Sequence, residues 1–347
     1  MSLRNLGLGL TALAAMALLA GQPADAQKKQ DDRLPKQGMP SAPPVVTQYS
    51  QEVEIKTYVP PDTRVDVELE PFSAFAQDLR GSADVTHRGP VKAALQGFQL
   101  RFLNGDHKIR ALGLMNFGEG IRATLADQGS EDPFEVSANF VAIPNFMNEM
   151  GLYTMSAARC NVRCTMRIEG MKEGQTALLA GFEFSRGKTD RNVRGLSVEV
   201  LPDREIVNVA LYDDRGPDFS GFLPIPGADI ISPASALEPP KDYYSARVQV
   251  LLLPERLVRG VTRVIGTSRG DALAPEGLVP EKYQRDVRRP HALMGFGLSF
   301  NRSDHFIEHI GVDHSVVPSV HFQDGDTDDE ISWFYDLAVF EDRAEAP

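Results

Sequence analysis

The sequence predicts an all-β protein of tandem antiparallel β-sandwich-like repeats, three related four-stranded units joined by long connecting loops. Three observations carry that expectation. Similar segments recur, opening on Leu95-Gln96-Gly97-Phe98, Leu179-Ala180-Gly181-Phe182 and Leu293-Met294-Gly295-Phe296, and internal similarity is the signature of a repeated unit. Within each segment, short runs alternate apolar and polar residues or are enriched in β-branched ones, the period of a strand. The 24 prolines among 347 residues argue against long helices, while 42% hydrophobic residues supply a core.

Taken in order, residues 1–26 read as a secretory signal. Arg4 precedes an uncharged, Leu- and Ala-rich stretch that ends in Ala24-Asp25-Ala26, with cleavage expected after Ala26. The apolar run is short and rich in Gly and Ala, and charge follows at once in Lys28, Lys29, Asp31 and Asp32, so no membrane span is expected after cleavage. The destination this implies is the periplasm or the medium. Residues 27–47 form a polar tether rich in Pro and Gln, whose composition disfavours a packed structure.

Residues 48–144 form a β region that contains the first unit, 92–144. Its strands are expected at 95–103, 108–116, 120–127 and 134–143, separated by turn residues such as Asn104-Gly105-Asp106. Residues 145–177 are a connector, either a short helix or a long hairpin, and carry the chain's two cysteines, Cys160 and Cys164. An exported chain keeps disulfides, and a C-x3-C pair closes when the two Cβ atoms face each other. The second unit, 178–254, is interrupted by a loop insertion at 220–242 rich in Pro, Gly and Ser. A second connector, 255–290, reads as loop with one helical turn near 280–286, and the third unit spans 291–342.

Charge narrows the partners. A formal net charge of -12 disfavours nucleic acid and anionic lipid, because neither gains from counterion release or surface attraction here. Cation binding or plain solubility is the natural reading of such a charge.

Two catalytic motifs fail on context. Gly266-Thr267-Ser268-Arg269-Gly270 matches the nucleophile elbow G-x-S-x-G, but the Pro275 and Gly277 that follow interrupt the helix this motif requires. His305-Phe306-Ile307-Glu308-His309 matches H-x-x-E-H, yet its equivalents at 107–111 and 192–196 read as strands. Residues four apart on a strand are about 13 Å apart, too far to share one zinc. The crowding of His291, His305, His309, His314 and His321 in the last unit is either tolerance of polar strand faces or a metal- or pH-responsive site, in which His305 and His309 contribute to separate clusters.

The acidic loops between third and fourth strands are the strongest functional lead. Asp127 and Asp132, Asp213 and Asp218, and Asp324 and Asp329 recur at one spacing, and the last loop adds Asp326 and Asp328. Such oxygen-rich loops suit calcium, although the EF-hand pattern is absent, with Asp329 at the sixth position and Tyr335 at the twelfth. The alternative is that these aspartates serve tight turns. Trp333, Phe334 and Tyr335 offer stacking surfaces for sugars, but alternation puts Trp333 and Tyr335 on one face, which marks them as core. Sandwich units that end in a Trp-containing strand resemble H-type lectins at a few positions per unit, and no residue role is carried over from that resemblance. The expectation is an exported, non-enzymatic binding or adhesion protein of the envelope, calcium-dependent and glycan-directed, with a structural envelope protein or a hydrolase of an envelope polymer as alternatives.

Overall fold

The computed structural model describes residues 52–57, 67–87, 89–117, 120–128, 132–213, 243–269, 272–273, 291–301, 303–314, 319–325 and 329–340. The expected signal, tether and loop insertion, with Asp218, Asp326 and Asp328, lie outside the described residues. In chain order the strands are β1 (Glu52–Thr57), β2 (Glu70–Thr86), β3 (Ala93–Phe102), β4 (Ala111–Phe117), β5 (Gly120–Ala126) and β6 (Pro133–Ala142). There follow β7 (Gly151–Cys160), β8 (Arg163–Arg167), β9 (Gln175–Ser185), β10 (Gly195–Leu201), β11 (Ile206–Tyr212) and β12 (Tyr244–Pro254). The last are β13 (Val258–Arg269), β14 (Ala272–Leu273), β15 (His291–Phe300), β16 (His309–Asp313), β17 (Ser319–Gln323) and β18 (Glu330–Phe340).

These strands form two antiparallel sheets among the described residues, ordered β1-β13-β18-β15-β10-β11-β8 and β14-β17-β16-β3-β6-β2-β5-β4-β9-β12-β7. The fold is all-β and sandwich-like, and both sheets contribute to one large apolar core. Strand β6 shows why: Phe134, Val136, Ala138 and Phe140 point inward, while Glu135, Ser137 and Asn139 alternate with them on the wetter side. Among the described residues no helix is long and apolar enough to cross a membrane.

The pairing differs from the meander expected within each unit. The first strand of each recurring segment pairs with the fourth, β3 with β6, β9 with β12 and β15 with β18. The second pairs with the third, β4 with β5, β10 with β11 and β16 with β17. Each second strand then joins a different segment, β4 beside β9, β10 beside β15 and β16 beside β3. The chain leaves the ladder after each first strand, so the segments share sheets instead of forming separate sandwiches.

Strands also occur in both expected connectors, and the helical turn expected near 280–286 lies outside the described residues. Strand β7 runs beside β12 and β8 beside β11, with Cys160 and Cys164 joined in a disulfide across the turn between them, their Cα atoms 5.3 Å apart. Similarly β2 pairs first with β6 and then with β5, bending at a register shift where Asp78 takes φ 54°. Strand β13 runs beside β18 and β14 beside β17. Met155 and Cys160 are the buried residues of β7, too few for the apolar alternation to show in sequence.

The Leu-x-Gly-Phe opening has a structural cause. Residues three apart on a regular strand face opposite sides, yet Leu95 and Phe98, Leu179 and Phe182, and Leu293 and Phe296 all lie in the main core. A bulge at Gln96, Ala180 or Met294 reverses the face between them. The three phenylalanines then meet, with centroids 4.9 Å apart for Phe98 and Phe182, 5.1 Å for Phe98 and Phe296, and 5.0 Å for Phe182 and Phe296. The motif glycine lies against the backbone of the joining strand. A Cβ on Gly97 would sit 2.7 Å from the Asp313 Cα, and one on Gly295 2.7 Å from the Val198 carbonyl oxygen.

Opposite those glycines stand the half-buried Asn139 and the buried Gln249 and Asp336, each held by hydrogen bonds, as buried polar groups must be. Asn139 Nδ2 donates to Asp313 Oδ2 at 3.1 Å, and Gln249 exchanges bonds with the Asn116 backbone at 2.6 and 2.8 Å. Arg263 Nε donates to Asp336 Oδ1 at 2.6 Å and its Nη2 to Glu199 Oε1 at 3.0 Å.

Candidate metal centres

Three short stretches between first and second strands meet at one end of the core. His107 and Ile307 exchange both backbone hydrogen bonds, at 3.0 and 2.8 Å. Ile109 and Arg191 do the same at 2.8 and 3.1 Å, and Val193 and His305 at 2.9 and 3.0 Å. Each stretch thereby touches both others in a closed cycle. Ile109, Val193 and Ile307 point into the core and are buried, which leaves the residues on either side facing outward by strand alternation. Phe306 is 41% exposed, with the Lys108 Nζ 5.9 Å from its ring centre.

His107 stands where the loop between β5 and β6 comes back to this cycle. Its Nδ1 is 3.6 Å from Asp127 Oδ2 and 3.4 Å from Asp132 Oδ2. The Phe102 ring, 4.5 Å away between centroids, backs the imidazole. On the other side, Nε2 is 3.1 Å from Asn104 Oδ1, while the amide nitrogen of Asn104 donates to Asp132 Oδ1. The hydrogen bond from Asn104 holds the Asp132 carboxyl below its ordinary range, opposed by burial and helped by a hydrogen bond with Asp127 and by the charges of His107 and Arg80.

The same arrangement recurs at the loop between β17 and β18. His305 Nδ1 lies 2.7 Å from Asp324 Oδ2 and 3.1 Å from Asp329 Oδ2. Phe300 backs the ring at 4.4 Å, and Ser303 Oγ is 2.8 Å from Nε2. In both clusters one imidazole nitrogen and two carboxylate oxygens lie within 4.8 Å of one another. At the third place in the cycle, Arg191 takes the position of the histidine. Arg186 stands five residues before it, where the other two segments have Phe102 and Phe300, and its Nη1 is 3.6 Å from Asp213 Oδ2.

The structure thus brings Asp127 to Asp132 and Asp324 to Asp329, and sets Asp213 beside an arginine. His107 is not among the residues that the sequence singles out as ligands; the contact is made by the loop between third and fourth strands, which no local spacing reveals. The cycle aligns Arg191, one residue before the expected Asn192, with His305.

The remaining histidines form other contacts. His309 lies at the far end of the H-x-x-E-H run and stacks on His321, centroids 4.1 Å apart, so His305 and His309 do belong to separate clusters. His291 and His314 meet edge to face at 4.7 Å inside the protein. Burial pushes His291 down to about 4, partly offset by the charge of Asp313, and pushes His314 well below the usual imidazole range. Gly266 to Arg269 lie within β13, and Trp333 and Tyr335 are core residues. No family model matches the chain, and no curated protein matches it in sequence.

Proposed function

We propose that the protein is an exported, non-enzymatic binding or adhesion protein of the cell envelope, directed at a glycan-type polymer and dependent on a bound divalent cation. The observation that carries this reading is the cycle of His107–Ile307, Ile109–Arg191 and Val193–His305 pairs, which gathers polar sites from distant parts of the chain at one end of the core. Sites gathered on one face engage a repeating polymer together, and such avidity exceeds that of any single contact. A cation is needed because the net charge of -12 repels acidic polymers. A cation held by three protein groups also retains an open position for a ligand oxygen.

Co-sedimentation with insoluble peptidoglycan and with insoluble neutral polysaccharides, in divalent cation and in EDTA, tests this. The expected result is binding to at least one polymer that EDTA abolishes and that Phe306→Ser with Lys108→Ala weakens. If the protein stays in the supernatant with every polymer in both buffers, the binding reading fails and a structural envelope role takes its place.

A further inference from the structure

We infer that the chain holds two divalent transition-metal ions of the imidazole-accepting class, represented by zinc, at His107/Asp127/Asp132 and His305/Asp324/Asp329, and that neither is a calcium site. This rests on the reading above that these clusters are cation sites, and it names the cation.

The tautomer of His107 is the first ground. The Asn104 amide nitrogen donates to Asp132, which turns its oxygen toward His107 and makes that oxygen an acceptor. Nε2 is then the donor to Asn104, and Nδ1 faces the two carboxylates. A positive charge between them, a proton or a metal ion, offsets their mutual repulsion. Donation of the outer ring N–H to a neighbouring acceptor is also the usual way a metal-bound histidine is held.

Spacing and chemistry select the ion. Ligand atoms at about 2.0 Å from a tetrahedral zinc lie about 3.3 Å from each other. The nitrogen–oxygen separations are 3.4 and 3.6 Å around His107 and 2.7 and 3.1 Å around His305, on either side of that spacing, and all three ligand atoms of each set lie within 4.8 Å of one another. Calcium takes six to eight ligands, all oxygen, whereas imidazole with carboxylate suits zinc and its neighbours. The constellation occurs at two corresponding places, each with a phenylalanine behind the ring. At the third, Arg191 brings a fixed positive charge where the others place a histidine, and an arginine ligates no metal.

The test is isothermal titration of the untagged, EDTA-treated protein with zinc, manganese and calcium, followed by visible spectroscopy of the cobalt-loaded form. Two equivalents of zinc are expected, with calcium at least a hundredfold weaker. His107→Ala and His305→Ala should each remove one equivalent, with the urea midpoint reporting that the variant is folded. Asp127→Asn and Asp324→Asn serve if either histidine variant fails to fold, and the cobalt d–d band should halve with each loss. Calcium bound in preference to zinc would overturn the metal class while leaving cation dependence intact. Zinc uptake unaffected by the four variants would overturn the sites. No uptake of any of the three ions would defeat both readings and leave histidine–aspartate ion pairs.

Discussion

The rings of Phe98 and Phe182 meet at 4.9 Å and 61°, an edge-to-face contact between the first and second recurring segments. Phe296 completes the group at 5.1 and 5.0 Å. All three are fully buried, so truncation leaves a cavity that distant backbone must collapse to fill. Phe98→Ala should cost about 3–5 kcal/mol by urea denaturation. Because the rings touch, Phe98→Ala with Phe182→Ala should depart from additivity by about 0.5–3 kcal/mol, whereas equal sums would show that the contact contributes nothing specific.

The motif glycines make a sharper prediction about backbone. Gly295→Ala places a methyl group 2.7 Å from the Val198 carbonyl oxygen and forces β15 away from β10. A loss of about 1–3 kcal/mol is expected from overpacking. By contrast Gly105, at φ +111° with nothing near its absent Cβ, should lose only about 1 kcal/mol on change to alanine. Matched melts of the two variants decide whether close approach or conformational freedom matters more.

Arg263 bridges two acids, the partly buried Glu199 and the buried Asp336. Burial raises the Glu199 carboxyl above its ordinary range, and the charge of Asp336 adds to the effect. Arg263→Met therefore strands two carboxylates and should cost about 3–5 kcal/mol at neutral pH. Acidification should narrow the gap to the parent protein, because protonated Glu199 no longer needs the guanidinium. A gap that is constant from pH 7 to pH 5 would show that Arg263 acts through packing alone.

Acid should weaken the fold through its interior histidines. An unfolded imidazole binds its proton near pH 6.5, while buried His291 does so only at about 4. Between those values the unfolded chain holds more protons, so stability is complete above pH 6.5 and falls as pH drops toward 4. His291 accounts for about 3 kcal/mol over that window, and His314 acts in the same direction. Urea midpoints at pH 7, 5.5 and 4.5 should fall steadily, and His291→Leu should flatten the slope; an unchanged slope would place the acid sensitivity elsewhere.

Much of this architecture was legible in the residues, and the limits follow from what strands encode. Expected strands at 120–127 and 134–143 match β5 and β6 to within a residue, because one face of each is dry and the alternation shows. Helix and hairpin stayed open for β7 and β8, since they lie at sheet edges where polar residues are tolerated on both sides. The paired aspartates at constant spacing pointed to loops that, in two of the three segments, lie beside a histidine. Their partners His107 and His305 did not follow from spacing, because a hydrogen-bonded cycle between remote segments carries them there.

That cycle, with the exchange of strands around it, also dictates when the chain can fold. Strand β3 finds its neighbour β16 only after more than two hundred intervening residues have been made or delivered. No segment can finish its own ladder first, so early strands must wait with open edges, a state prone to mispairing. Folding dominated by such remote partners is slow. The protein is built to be completed by its last segment, and truncation there should leave the earlier ones without a place to settle.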